Sequence, residues 1–173
     1  MADLMGKQPH IVPVTWRDPR AVALRKLMDV EMSAIYGSLF SFSEPDKVLA
    51  ARRTARVIDP RDGLVTLLAI EADCTLLAHV GLRDRGGQWE VKRLLVDNEA
   101  RGRGIGQRLM SDLEGWARDR GAKRLILQTG DRQPEAVALY ERAGYERIEI
   151  SEPYVTTFTF SRCFEKQLSR ETP

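Results

Sequence analysis

Three short stretches of this chain combine residue types and spacings suited to chemistry. The first, RGRGIGQRL from Arg101 to Leu109, follows the apolar run WEVKRLLV and opens a segment with helical periodicity. A strand ending at Val96 and a helix starting near Gly104 would turn the unpaired N–H groups of the helix's first turn toward the loop. Those donors and the positive end of the helix dipole favour an anion. Gly102, Gly104 and Gly106 let a diphosphate approach the backbone around Ile105 and Gln107 with no Cβ in the way, and Arg101 and Arg103 add charge at the rim. Two common nucleotide loops are disfavoured. Gln107 stands where a dinucleotide loop needs its third glycine, and the Gly-Lys-Ser/Thr of a triphosphate loop is absent. A solvated turn, permitted by glycine and lined by arginine, is the competing reading of the same residues.

The second stretch, QPEAVALYERAGY from Gln133 to Tyr145, puts Ala136, Leu139 and Tyr140 in one helical neighbourhood and stops the helix at Gly144. The third is Glu90, at the start of the strand that runs into the glycine loop. Taken in order, the two longer stretches resemble the GCN5-related N-acetyltransferases. The family's pyrophosphate motif, Q/R-x-x-G-x-G/A, matches at Arg101, Gly104 and Gly106. Its later pattern, N-x-x-A-x-x-L-Y-x-x-x-G-F, matches at Ala136, Leu139, Tyr140 and Gly144, with Gln133 in place of Asn and Tyr145 in place of Phe.

The resemblance implies an enzyme that moves the acetyl group of acetyl-CoA directly to a primary amine of a small molecule. A protein N-terminus or lysine as acceptor, and a non-catalytic acyl-CoA sensor, are the alternatives. It further implies that Gln133 and Ala136 contact the CoA arm, and that the end of the strand at Leu94, Leu95 and Val96 offers its amides to the pantetheine. The unbroken run of three apolar residues there is what a bulge or splayed strand end would allow. Tyr140 is the expected general acid toward the departing sulfur. Glu90 is the expected general base, the alternative being a glutamate ion-paired with Lys92 or Arg93. Such a base matters because an alkyl ammonium with a pKa near 10 sits about three units from neutral pH, roughly 4 kcal/mol if only the free amine attacks. By the same resemblance, the acceptor side falls to Asp29, Glu31 and Tyr36 on one flank and Tyr154 on the other, where carboxylates would favour a cationic amine, although a solvated helix face explains these residues equally simply. A homodimer is the assembly the family suggests, with the last strand and its polar end SRETP as a possible seam between subunits.

The elements that must position these residues follow from periodicity and turn chemistry. IVPVTW reads as an edge strand, because Pro13 cannot donate to a ladder from mid-sheet. A helix follows, capped by Asp18 with Pro19 in its first turn, its core stripe being Ala21, Leu24, Leu27, Met28 and Ile35. FSFSEP interrupts the pattern, and a second helix spans Pro45 to Ile58. LVTLLAIEA, TLLAHVGLRD and WEVKRLLV form an antiparallel meander, the last two joined at Gly86-Gly87. A helix to Gly121 buries Ile105, Leu109, Leu113, Trp116 and Ala117, followed by the strand RLILQT, the helix from Pro134 to Ala143, and strands YERIEI and TFTFSRCFEKQL. This is one α+β domain over residues 1–173, a mixed, mostly antiparallel sheet of six to seven strands with about four helices. His79 falls within an apolar strand and reads as a core histidine with satisfied nitrogens.

Bulk composition narrows the remaining classes. The 27 basic and 25 acidic residues are interspersed, so no polyanionic partner such as nucleic acid is indicated. RGRG opens an amphipathic helix, unlike the long disordered repeats of RG-type RNA binders. Cys74 and Cys163 stand alone, which writes neither a zinc site nor a disulfide framework. The longest apolar run, Leu64 to Ile70, is far short of the roughly 20 residues that span a bilayer, and the first ten residues lack a secretion signal's apolar core, so a cytoplasmic location is expected.

Overall fold

The computed structural model describes residues 8–39 and 46–168. The break expected at FSFSEP lies outside them, as do the first seven residues and the polar end 169–173. Seven strands form one sheet: β1 (His10–Val14), β2 (Gly63–Ile70), β3 (Leu76–Arg85), β4 (Gln88–Val96), β5 (Arg124–Gly130), β6 (Glu146–Ile148) and β7 (Ser161–Gln167). Their spatial order is β1-β2-β3-β4-β5-β7-β6. Only β4 and β5 run parallel; the other neighbours are antiparallel. The helices are α1 (Pro19–Tyr36), α2 (Asp46–Arg56), α3 (Ile105–Asp119), α4 (Pro134–Arg142) and the four-residue α5 (Tyr154–Thr157).

Local sequence explains most of these boundaries. The Asp18 carboxylate accepts the Arg20 N–H at 2.9 Å, supplying one donor at the start of α1 with a partner. Gly86 and Gly87 both hold positive φ, which is what a two-residue hairpin turn requires. One sheet face packs on α3 and α4, burying Val65, Leu67, Val80, Leu82 and Val91 against Leu109, Met110, Leu113 and Phe164. The opposite face meets α1 in a smaller cluster of Ala21, Leu24, Leu68 and Leu95. Leu27, expected in that stripe, is exposed, because α1 has too little sheet beneath it to bury more than a narrow strip.

The C-terminal region departs furthest from the sequence reading. YERIEI contributes only Glu146–Ile148, and the expected strand from Thr157 begins at Ser161, since 154–157 form α5 and Phe158 and Phe160 fold into a local cluster with Tyr154 and Cys163. Alternation in TFTF served this cluster and not a ladder. β7 is also not a free edge. It pairs with β5 along its length and with β6 at Cys163 to Glu165, so β6 lies outside it in the sheet, while the polar end SRETP falls outside the described residues.

Candidate active site

The strand-to-helix loop has the geometry its glycines require. Gly102 and Gly104 sit at φ of +77° and +74°, a region that strains any residue with a Cβ. Gly104 is the N-cap of α3, and a Cβ built there would meet nothing within 4 Å. The first helical bond is from the Arg108 N–H to the Gly104 carbonyl, so the amides of Ile105, Gly106 and Gln107 precede the ladder. Ile105 and Gly106 are buried and Gln107 is exposed. Gly106 is glycine for a different reason: a Cβ would lie 2.7 Å from the Leu139 side chain, so α3 and α4 touch there. The arginines are engaged elsewhere. Arg101 donates to the Val96 carbonyl at 3.0 Å and pairs with Glu31 at 2.9 Å, and Arg103 pairs with Glu71 at 2.6 Å. Recognition of an anion at this loop therefore falls to backbone donors, and the residues present fit a diphosphate through those amides and the open space at Gly104.

Upstream of the loop, β4 leaves its parallel partner. The β4–β5 pairing is confined to Glu90 with Ile126 and Val91 with Leu127, and the strands separate beyond it. The register against β3 also slips, two β4 residues, Arg93 and Leu94, standing opposite Val80, with Arg93 at φ +59°. This is a β-bulge, which re-aims successive side chains. Leu95 consequently turns into the α1 cluster, while Leu94 and Val96 pack toward α3. Between the parted strands lies a cavity of about 220 Å³ walled by Leu94, Gln128, Thr129, Gln133, Ala136 and Tyr140, by Met28, Met32 and Tyr36 of α1, and by Tyr154, Phe158 and Phe160.

Beneath the cavity is a knot of charge. Glu90, 1% exposed, takes a hydrogen bond from Arg83 Nε at 2.7 Å and another from the Tyr154 hydroxyl at 2.6 Å. Lys92 donates to the same hydroxyl at 2.9 Å, 3.9 Å from Glu90. Burial alone would raise the Glu90 pKa, but Lys92, Arg83, Tyr154 and Arg85 outweigh it and hold the carboxyl below its ordinary value. Burial and the neighbouring arginines push Lys92 down to about 8, against the pull of Glu90. Burial, then the charge of Glu90, raises Tyr154. Lys92 and Tyr154 line the cavity; Glu90 does not. Glu90 is ion-paired closely with Arg83 and more loosely with Lys92, as expected, and Arg85, whereas Arg93 is bound to Asp29 across the gap to α1.

The opposite wall is α4. Tyr140 is buried, its ring about 6 Å from those of Tyr145 and Phe164, and its hydroxyl has no hydrogen-bond partner among the described residues. Burial raises its pKa, so it is a phenol at neutral pH, able to donate. Gln133 and the Arg132 amide both donate to the Tyr36 hydroxyl, at 3.4 and 3.1 Å. That hydroxyl lies 1.9 Å from where a Cβ on Gly130 would be, so β5 must end in glycine for Tyr36 to reach the wall. Among the described residues no group of three or more His, Cys, Asp or Glu could hold a metal ion, and no helix is long and apolar enough to cross a membrane.

The model of the acetyltransferase (GNAT) family matches residues 29–145. The chain belongs to that family. It is 34% identical over 108 residues to the IAA acetyltransferase of Azospirillum brasilense, a match covering 62% of this chain and 60% of that protein, so the chain spans less than two thirds of that relative's length. Among solved structures, a Klebsiella pneumoniae protein assigned as an acyl-CoA N-acyltransferase superposes with a TM-score of 0.71 at 25% identity, covering 93% of this chain and 98% of its own. An aminoglycoside 6'-N-acetyltransferase complexed with coenzyme A shares the fold, with a TM-score of 0.62 at 18% identity over 95% and 99% of the two chains.

Within this GNAT fold, the expected site residues Leu94, Gln133, Ala136 and Tyr140 line the cavity, whereas much of its floor went unnamed in the sequence. Arg83 was legible in principle: with Gly86-Gly87 as a two-residue turn, counting outward puts Arg83 directly opposite Glu90, as observed. Gly130, Phe158 and Phe160 gave no comparable signal. His79 is fully buried as expected, but neither ring nitrogen has a hydrogen-bond partner, and burial, Arg25 and Arg93 drive its pKa down to about 3.

Proposed function

We propose that the chain is an acetyl-CoA-dependent N-acetyltransferase acting by direct transfer to a primary amine of a small molecule. One observation carries this reading: β4 ends its pairing with β5 at Val91, opens onto the cavity, and runs on into the glycine loop, so one strand connects a diphosphate site to an acyl site. Names of relatives point the same way. In this reading the amides of Ile105, Gly106 and Gln107 hold the diphosphate, with Arg101, Gly102, Arg103 and Gly104 shaping the loop. Gln133 and Ala136 flank the arm, and those amides of Leu94, Leu95 and Val96 that are not turned to β3 bind pantetheine and polarise the thioester carbonyl.

The carbon–nitrogen bond forms as the carbon–sulfur bond breaks. Tyr140 gives the departing thiolate its proton, which suits a phenol that burial keeps protonated. Tyr154 takes the proton of the attacking amine as its own passes along the 2.6 Å hydrogen bond to Glu90. Glu90 thus serves at one remove, as a positioning residue that orients the Tyr154 hydroxyl and relays its proton, because the cavity does not reach its carboxylate. The test is thiol release from acetyl-CoA across a panel of amines, with thermal shift for cofactor binding. Cofactor binding with amine-dependent thiol release is the expected result; binding with no release for any amine would leave only a sensor.

A further inference from the structure

The acceptor side of the cavity has a charge that no approach through amine chemistry alone explains. Among the described residues two cationic side chains, Lys92 and Arg93, line it, and no aspartate or glutamate does. The carboxylates that sequence placed nearby are committed elsewhere: Asp29 to Arg93 and Glu31 to Arg101. Glu90, under the floor, is shared by Arg83, Lys92 and Arg85, so three cations surround one anion. The groups facing the Lys92 ammonium are then Arg83 and Arg85 of β3, Glu90 and Arg93 of β4 and the Tyr154 hydroxyl of α5, with Asp29 of α1 held by Arg93. A cationic acceptor would enter this field uphill; an anionic one would relieve it.

Much of the rest of the lining is aromatic and apolar. Tyr36 stacks on Phe160 with ring centroids 4.9 Å apart and an interplanar angle of 14°, Phe158 meets Phe160 edge-on, and Met28 and Met32 complete the wall. Beyond Lys92 and Arg93 the polar side chains of the lining, among them Tyr36, Gln128, Thr129, Gln133, Tyr140 and Tyr154, are uncharged, so an acceptor's body would rest on rings and neutral polar groups.

We infer that the acceptor amine carries a carboxylate, read by Lys92, on an aromatic or apolar body seated against Tyr36, Phe158 and Phe160. This rests on the acetyl-transfer reading and sharpens it, replacing the cationic acceptor that the carboxylates of α1 suggested. An aromatic amino acid is the simplest molecule of that class. Depressed as it is, Lys92 stays mostly protonated below pH 8, and a bound carboxylate would hold its proton more firmly.

The experiment uses the full chain, acetyl-CoA and three acceptors that share the phenethylamine skeleton, of which only the first carries a carboxylate: L-phenylalanine, its methyl ester and phenethylamine. The expected kcat/KM for phenylalanine exceeds both others by at least about tenfold, and the ratio declines above pH 8 as Lys92 loses its proton. In Lys92→Met the ratio collapses toward one, whatever happens to absolute rates, and Lys92→Arg restores it. A catalysis-free measurement accompanies it: with CoA present, N-acetyl-phenylalanine raises the melting temperature and its methyl ester does not, a difference lost in Lys92→Met. Equal or better turnover of the ester or phenethylamine, or a ratio that survives Lys92→Met, overturns the inference while leaving acetyl transfer standing. No thiol release with any acceptor and no thermal shift with acetyl-CoA would overturn both.

Discussion

The two ends of β4 make a site by opposite means. At its C-terminal end, the loop before α3 works through backbone: positive-φ glycines, amides ahead of the first helical bond, and arginines whose charges are spent on Glu31 and Glu71. Toward its N-terminal end, the floor works through side chains drawn from β3, β4 and α5, buried and mutually dependent. The lesson is that the loop's function is separable from stability, whereas the floor's is not. Removing a glycine there changes what fits, while removing a floor charge leaves its partner stranded in a poorly solvated place.

Substitutions can break that contrast. The largest effect is expected from Glu90→Gln, which leaves the Arg83 guanidinium, itself buried, without its counter-ion. A loss of about 3 kcal/mol in stability by urea melts is expected, together with slower acetylation; a full-stability variant would show that the floor is not an interdependent unit. Next is Gly104→Glu, which adds a carboxylate where the diphosphate would sit. Acetyl-CoA affinity should fall roughly 100-fold by calorimetry, with the melting temperature lowered by only a few degrees because the site is open. Equal affinity would remove the loop from the function altogether.

Tyr140→Phe sharpens the comparison from a third place, keeping the ring that packs on Phe164 and deleting only the hydroxyl. We expect kcat to drop about tenfold and stability to stay within about 0.5 kcal/mol of the parent; an unchanged kcat assigns the ring to packing alone. The smallest effect concerns His79, whose folded pKa of about 3 lies below its unfolded value of 6.5. Between those values the unfolded chain binds the extra proton, so stability is complete above pH 6.5 and falls with acidification, by at most about 1.4 kcal/mol per pH unit. In His79→Leu that part of the slope between pH 6.5 and 5 should vanish in urea melts.

The same contrast governs what the sequence alone makes legible. Arg101, Gly104 and Gly106 reveal themselves because local backbone geometry restricts which residues fit, and locality is what one sequence preserves. The meander, the α3 stripe and the β4 irregularity at Leu94 to Val96 were legible for that reason. Tyr154 joins Lys92 and Glu90 over more than 60 positions, through a four-residue helix too short to show a period in the sequence. Tyr36 reaches Gly130 across a similar span, a fit visible only once α1 lies on the sheet. Leu27 shows the converse error: its helical phase was right, but periodicity cannot say how wide a surface the partner offers.

Two residue pairs alone stitch β1 through β4 to the remaining strands, and one of them is Glu90 with Ile126. The residue that supplies the counter-charge beneath the cavity therefore also supplies one of the two rungs that join the halves of the sheet.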